Sequence, residues 1–349
     1  MAGQQFIPAL ANHPWFEIVK LAASERSAGK TYREALTDAS GNFKYLVGTP
    51  PGPEIMDLVV ENAATMRADD VDIVFAAVES DAARELEPRY AETTPVISTA
   101  SAFRYEDDTP ILVAGVNMDH AELLKVQQKR RGWRGFIAPI PNCTVTGLTI
   151  TLKPLHDAFG IRSAIITSMQ ALSGAGRSPG VPGMDIIDNV IPHIPGEEGK
   201  VEREGQKILG RFVGEAIEPL TLPVSATCTR VPVLDGHTEA VFVSLEKPAS
   251  PDEVAGVMRE FGKSFVELGL PSAPPELIHV TDDPFRPQPR LDRERGDGMT
   301  TTVGRLRADH VMENGIKYVL VTHNTKMGAA KGAVLSAEYL VHAGYIERK

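Results

Sequence analysis

The chain has 349 residues, 42% of them apolar, and a net charge of −10; at roughly 150 residues per domain this supports two domains, each with a full core. The acidic balance argues against nucleic acid or an anionic membrane as partner, but local cations can still hold an anionic substrate. Two cysteines give no disulfide framework and fit a reducing cytoplasm, while neither an apolar run of about 18 residues nor a secretory signal pattern is seen.

In the first half, short apolar strands alternate with helices. Glu17–Ala23 reads as a strand running into a loop, and the Gly- and Pro-rich stretch 40–53 as a loop. Val71–Ala77 reads as a strand followed by a helix over Ser80–Tyr90; Thr94–Ser98 and Gly135–Ala138 are further strands. Strands separated by helices imply a parallel sheet with right-handed crossovers. In the second half Ser163–Gln170, Ala240–Leu245, Thr301–Leu306 and Lys317–Thr322 read as strands, with helical stretches near 200–212 and 251–267. This predicts a largely antiparallel sheet covered by helices. Two polar loops, Ser173–Pro195 and Pro284–Gly298, interrupt it, and a final helix spans Ala329–Ala343. No internal repeat is present.

Chemistry concentrates around Cys143. It follows a Pro-Asn turn and opens an apolar, helix-like run, where a helix N-terminus is expected to lower its pKa. The downstream segment Arg230–His237 offers a guanidinium suited to a carboxylate and an imidazole suited to proton transfer. Cys228, in the middle of a strand-like stretch, reads as a packed core residue. No His/Cys/Asp cluster has metal-ligand spacing, so no metal is expected.

Several segments together carry a resemblance: 23–30, 98–104, 141–145, 168–176, 197–200, 230–237 and 323–330. In order and spacing they resemble the aspartate-semialdehyde dehydrogenase family, in its archaeal and fungal-like branch, over nearly the whole chain. The resemblance implies an α/β fold. A Rossmann-type NADP-binding domain would take residues 1–142 and 324–349. A catalytic and dimerisation domain with a mostly antiparallel sheet would take 143–323. It implies a cytoplasmic homodimer or homotetramer that uses NADPH to reduce L-aspartyl 4-phosphate to L-aspartate 4-semialdehyde through a cysteine thioester, in lysine, threonine and methionine biosynthesis. Relatives that reduce malonyl-CoA or succinyl-CoA with the same cysteine are the alternative, as is a non-catalytic derivative; reduction of N-acetyl-glutamyl phosphate ranks lower.

The family's site roles carry over by position. Cys143 would be the nucleophile, His237 the acid–base group and Gln170 the residue that orients the tetrahedral intermediate. Arg230 would grip the substrate carboxylate and Glu197 its amino group. Arg104 and Lys200 would bind phosphate, with Asn142 beside the nucleophile. For the cofactor, Ser24, Arg26 and Ser27 suit a 2′-phosphate better than the acid of NAD enzymes. Ser173, Gly174 and Gly176 would lie near the nicotinamide and Asn324 would hold its carboxamide. The family's glycine-rich front motif is represented only by its tail at Gly3. The first strand is therefore expected to be missing, through a misassigned start or a truncation, and the literal sequence to bind cofactor weakly.

Overall fold

The computed structural model describes residues 2–176, 181 and 183–349. The first half contains α1 (Ala2–Leu10), β1 (Leu21–Ala23), α2 (Tyr32–Ala35), α3 (Pro53–Met56), β2 (Val60–Asn62) and β3 (Val74–Ala76). It continues through α4 (Ser80–Ala91), β4 (Val96–Ser98), α5 (Glu122–Arg131) and β5 (Ile137–Pro139). A long helix, α6 (Cys143–Phe159), leads into the second half, with β6 (Ile161–Gln170), α7 (Gly183–Ile186) and α8 (Glu197–Ile208). Then come β7 (Arg211–Val213), β8 (Ala216–Glu218), β9 (Val224–Arg230), β10 (His237–Leu245), α9 (Pro251–Glu260) and α10 (Lys263–Val266). The chain closes with β11 (Ile278–Val280), α11 (Pro289–Asp292), β12 (Thr301–Asp309), β13 (Gly315–Thr322) and α12 (Ala330–His342).

The parallel sheet of the first half is in two pieces, β2–β1 and β3–β4–β5. In the doubly wound order 3-2-1-4-5-6, these supply positions 3-2 and 4-5-6; no strand among the described residues takes the position between. Its strands are shorter than the apolar runs suggest. Leu21–Ala23 pairs with Val60–Asn62, and a strand lasts only as long as its ladder partner. The first part of the expected strand, Glu17–Lys20, belongs to no strand. The last helix, α12, returns to this half and packs on α1 and β4.

The second sheet has six strands in the order β11-β12-β13-β10-β6-β9. The three inner pairings are antiparallel and the two outer ones parallel. Burial alternates along β10 and β6, so one face is covered and the other is more open. Helices α6, α8 and α9 supply the cover. The α9 start shows why its sequence folds locally: Ser250 and Glu253 form a capping box around Pro251.

Helix α6 is buried along almost its whole length, from Thr144 through Leu152. A helix apolar all round belongs in a core, and here it runs between the six-stranded sheet and its helical neighbours. Gly147 lets it approach β13: a Cβ there would lie 2.9 Å from Thr322 Cβ and closer still to its hydroxyl. Gly147→Ala is expected to push α6 off the sheet and lower stability by about 1–3 kcal/mol, as overpacking does; urea unfolding with an unchanged midpoint would refute this close-approach reading.

Candidate active site

The site forms where α6 begins. Asn142 caps the helix, its side-chain oxygen accepting from Thr144 N at 2.9 Å. Cys143 is therefore the first helical residue. Three strand ends converge on it. Gln170 ends β6 in register with Arg230 at the end of β9, and His237 opens β10 opposite Thr322 of β13. Cys143 Sγ lies 3.1 Å from His237 Nε2, although the two residues are far apart in sequence. His237 Nδ1 accepts from the backbone N–H of Ala171 at 3.1 Å.

Glu197, at the start of α8, gathers the polar side chains. Its carboxylate accepts from Asn142 Nδ2 at 2.9 Å, from Gln170 Nε2 at 3.3 Å and from Lys200 Nζ at 2.7 Å. Burial pushes this carboxyl upward, but the Lys200 ammonium and the two amides outweigh it and hold it below its usual range. Arg230 donates from Nη1 to Ala171 O at 2.7 Å. Gly174 packs between them: a Cβ there would meet Arg230 Nη1 at 3.0 Å and His237 Cε1 at 3.1 Å. The glycine singled out for cofactor contact thus touches the catalytic candidates themselves.

The sequence expectation for the thiol needs correction. The helix N-terminus is present, yet burial pushes the Cys143 thiol up to about 12, with the Glu197 charge adding to the rise. Arg230, Arg104 and the Thr144 N–H pull the other way and are outweighed. Burial, with Arg230 and His323, also pushes the His237 imidazole down to about 3. Loss of water thus works against a charge on either partner more than one helix dipole favours it. Cys228 is buried in β9, as expected of a core residue.

Arg104 is more committed than an open phosphate ligand. Its Nε donates to Ile140 O at 2.9 Å, Nη1 to Glu204 at 3.0 Å and Nη2 to Thr99 O at 3.0 Å. Three of the five guanidinium N–H bonds are used, and two remain. Glu204 escaped the sequence reading. Fully buried, it also accepts from the Asn142 backbone N–H at 2.7 Å and from the Tyr105 hydroxyl at 3.3 Å. The available signal was spacing: Glu197, Val201, Glu204 and Ile208 share the buried face of α8. Gly328 was also missed; a Cβ there would lie 3.0 Å from that of Cys143.

The cofactor candidates fall in two places. Asn324 lies in the cluster, accepting from Gly236 N and donating to Ser173 Oγ, each at 2.8 Å. Gly176, at φ +70°, ends the short turn after Ala171. Its loop continues through 177–180 and 182, outside the described residues. Ser24, Arg26 and Ser27 occupy the turn just after β1, in the other half of the molecule. Ser24 and Arg26 are exposed, and Arg26 makes no ion pair among the described residues. Gly3 lies in the first turn of α1, within 4.0 Å of Ala77 at the end of β3, if a Cβ is placed on it. Strand ends and helix starts of a parallel sheet are where such folds take dinucleotides.

Known proteins resemble this chain along nearly its whole length. Residues 1–124 match the family model for the semialdehyde dehydrogenase NAD binding domain, and residues 152–327 that for the semialdehyde dehydrogenase dimerisation domain. Aspartate-semialdehyde dehydrogenase of Archaeoglobus fulgidus is 47% identical over 98% of this chain and 95% of its own. The enzyme of Candida albicans is 41% identical over 97% of this chain and 94% of its own. The crystal structure of a Candida albicans aspartate-semialdehyde dehydrogenase with NADP superposes at a TM-score of 0.88, with 39% identity, over 99% of this chain and 97% of the other. Aspartate-semialdehyde dehydrogenase II of Vibrio cholerae, complexed with ASA, superposes at 0.75 with 27% identity, covering 98% and 95%. By sequence and by fold, this chain belongs to the aspartate-semialdehyde dehydrogenase family.

Proposed function

We propose that this protein reduces L-aspartyl 4-phosphate to L-aspartate 4-semialdehyde with NADPH, through a thioester on Cys143. The observation that carries the reading is the 3.1 Å contact between Cys143 Sγ and His237 Nε2 at a helix start ringed by Arg230, Arg104, Lys200 and Glu197. The sulfur attacks the acyl carbon and phosphate departs. Bound NADPH supplies the hydride that reduces the acyl group. Arg230 pairs with the substrate carboxylate, Glu197 with its ammonium, and Gln170 holds the tetrahedral centre. Arg104 and Lys200 receive the phosphate, and Glu204 braces Arg104 in a fixed pose.

Residues 1–142 and 324–349 form the NADP-binding domain in this reading, and 143–323 the catalytic one. The turn after β1 fits a 2′-phosphate, since Arg26 makes no ion pair among the described residues and two serine hydroxyls flank it. Gly174, Ser173 and Asn324 lie close enough to the Cys143–His237 pair to hold the reactive end of the cofactor. The more open face of the six-stranded sheet, with Ile165 half exposed on β6, is the self-association surface. Among the described residues no helix is long and apolar enough to cross a membrane; a cytoplasmic location is proposed from the reduced cysteines.

Three outcomes are expected. Purified protein oxidises NADPH with L-aspartyl 4-phosphate but not with malonyl-CoA or succinyl-CoA; Cys143→Ala abolishes turnover and Cys228→Ala keeps it. Turnover with a CoA ester alone would move the substrate to the alternative class. Arg26→Ala raises the Kd for NADPH by about 10–100-fold, the worth of a charged hydrogen bond, and leaves that for NADH alone; equal weakening of both would remove Arg26 from the phosphate site. Light scattering on a sizing column gives a dimer or tetramer mass, which an added charge at Ile165→Glu lowers; a monomer at micromolar concentration would refute the sheet-face interface.

A further inference from the structure

Helix α4 lies against β3, β4 and β5. The side chains it turns inward are Ala83, Glu87, Tyr90 and Ala91, a stripe that is ordinarily apolar throughout. Glu87 is 1% exposed, and its carboxyl is met on one side only. Oε1 accepts from the Ser98 hydroxyl at 2.5 Å, while Oε2 has no hydrogen-bond partner among the described residues. Burial pushes this carboxyl up to about 7, against the pull of the Ser98 hydroxyl and the Arg104 charge. A leucine in its place would complete the stripe and leave no carboxyl oxygen orphaned. What the carboxyl supplies, and a leucine cannot, is a fixed direction for Ser98.

Ser98 closes β4. Its Oγ gives its hydrogen to Glu87 and accepts from the Ala100 N–H at 3.0 Å, which sets the turn leaving the strand. The carbonyl inside that turn, Thr99 O, accepts from Arg104 Nη2 at 3.0 Å. Across the sheet, Ser98 O accepts from Ile140 N at 2.9 Å. Ile140 O in turn accepts from Arg104 Nε at 2.9 Å. Two of the three acceptors that hold the guanidinium therefore lie beside Ser98, one along the chain and one on the neighbouring segment. The third, Glu204, comes from α8. Asn142 and Cys143 follow Ile140 after a single proline.

Resting on the function proposed above, we infer that Glu87 is a positioning residue for the phosphate site: through Ser98 it fixes the turn that aims the Arg104 guanidinium at the departing phosphate. Enclosed under α4, it acts only through that hydroxyl. A guanidinium is a planar fork, and its grip on an anion depends on the direction of the plane. Thr99 O and Ile140 O hold two of its nitrogens, so the direction of the N–H bonds left for phosphate follows the position of those carbonyls. If Ser98 turns, the Thr99 carbonyl turns with it, and the fork loses its aim while the thiol and the rest of the site stay in place.

The test runs the proposed reaction in its phosphorylating direction, with L-aspartate 4-semialdehyde, NADP and inorganic phosphate, on Glu87→Leu, Glu87→Gln and Ser98→Ala. Glu87→Leu and Ser98→Ala should each raise the KM for phosphate about tenfold, the worth of one hydrogen bond, and leave the KM values for semialdehyde and NADP within about twofold. The two changes together should do no more than either alone, as expected of residues acting in one chain of contacts. Glu87→Gln, which keeps an acceptor oxygen for Ser98, should restore the phosphate KM. A phosphate KM unmoved by Glu87→Leu overturns the inference, and so does an equal rise in all three constants, which marks a general loss of packing. Should Glu87→Leu fail to fold, Ser98→Ala carries the same prediction and the same refutation. Absence of turnover in the unmodified protein would instead sink the proposed reaction. The Arg104 Nε–H signal in nitrogen-15 NMR would then decide the positioning role: Glu87→Leu but not Glu87→Gln should speed its exchange with water, and equal exchange in both overturns it.

Discussion

Asn142 fixes where α6 begins, and the site is arranged around that point. Its backbone N–H goes to Glu204, its side-chain oxygen to Thr144 N, and its side-chain amide to Glu197. Three bonds to one residue leave the following Cys143 a single place to be. Two of those partners lie on α8, a helix whose buried face carries carboxylates where apolar residues would ordinarily pack. Their charges are tolerated because each is met: Glu204 by Arg104, Glu197 by Lys200. The Arg104–Glu204 pair ties α8 to the first half of the chain, the Glu197–Lys200 pair lies within α8 itself, and the amides of Asn142 and Gln170 join Glu197 to the nucleophile turn and the end of β6.

The low dielectric that makes those pairs strong also governs the reacting groups. Cys143 and His237 touch, but burial keeps the thiol protonated and the imidazole neutral. The cations near the sulfur, Arg230 and Arg104, are insufficient while Glu197 is ionised beside them.

The two halves of the fold meet these demands differently. The second sheet is long, continuous and covered on one side, so strand ends at Gln170, Arg230 and His237 are held in register by neighbours. The first sheet is two short pieces, and its exposed turn at Ser24–Ser27 is held by local turn bonds alone. The proposed chemistry sits at the ends of the longer sheet, and the proposed phosphate contact for the cofactor sits on the turn. Asn324 and Ser173 hydrogen-bond each other, which ties the loop after β6 to the segment entering α12.

Much of this was readable from the chain. Apolar alternation located the strands of the second half, and the Pro-Asn turn before an apolar run located α6 and its first residue. The family resemblance gathered Gln170, Glu197, Arg230 and His237 around Cys143, and they do meet there. What the sequence could not supply was solvent exclusion. A helix start lowers a thiol pKa in water-exposed settings, and only the packing of α6 between layers reveals that burial reverses the sign here. Nor could it reveal Glu204, since a glutamate on a charged helix looks solvated until its face is known to be inside. The hydrogen bond that holds His237 Nδ1 comes from the backbone amide of Ala171, just past the end of β6 and far from His237 in the chain. Sequence pattern thus determined which residues could take part, because residue type and spacing are local properties; tertiary structure decided their charge states, because those depend on water removed by segments far away in the chain.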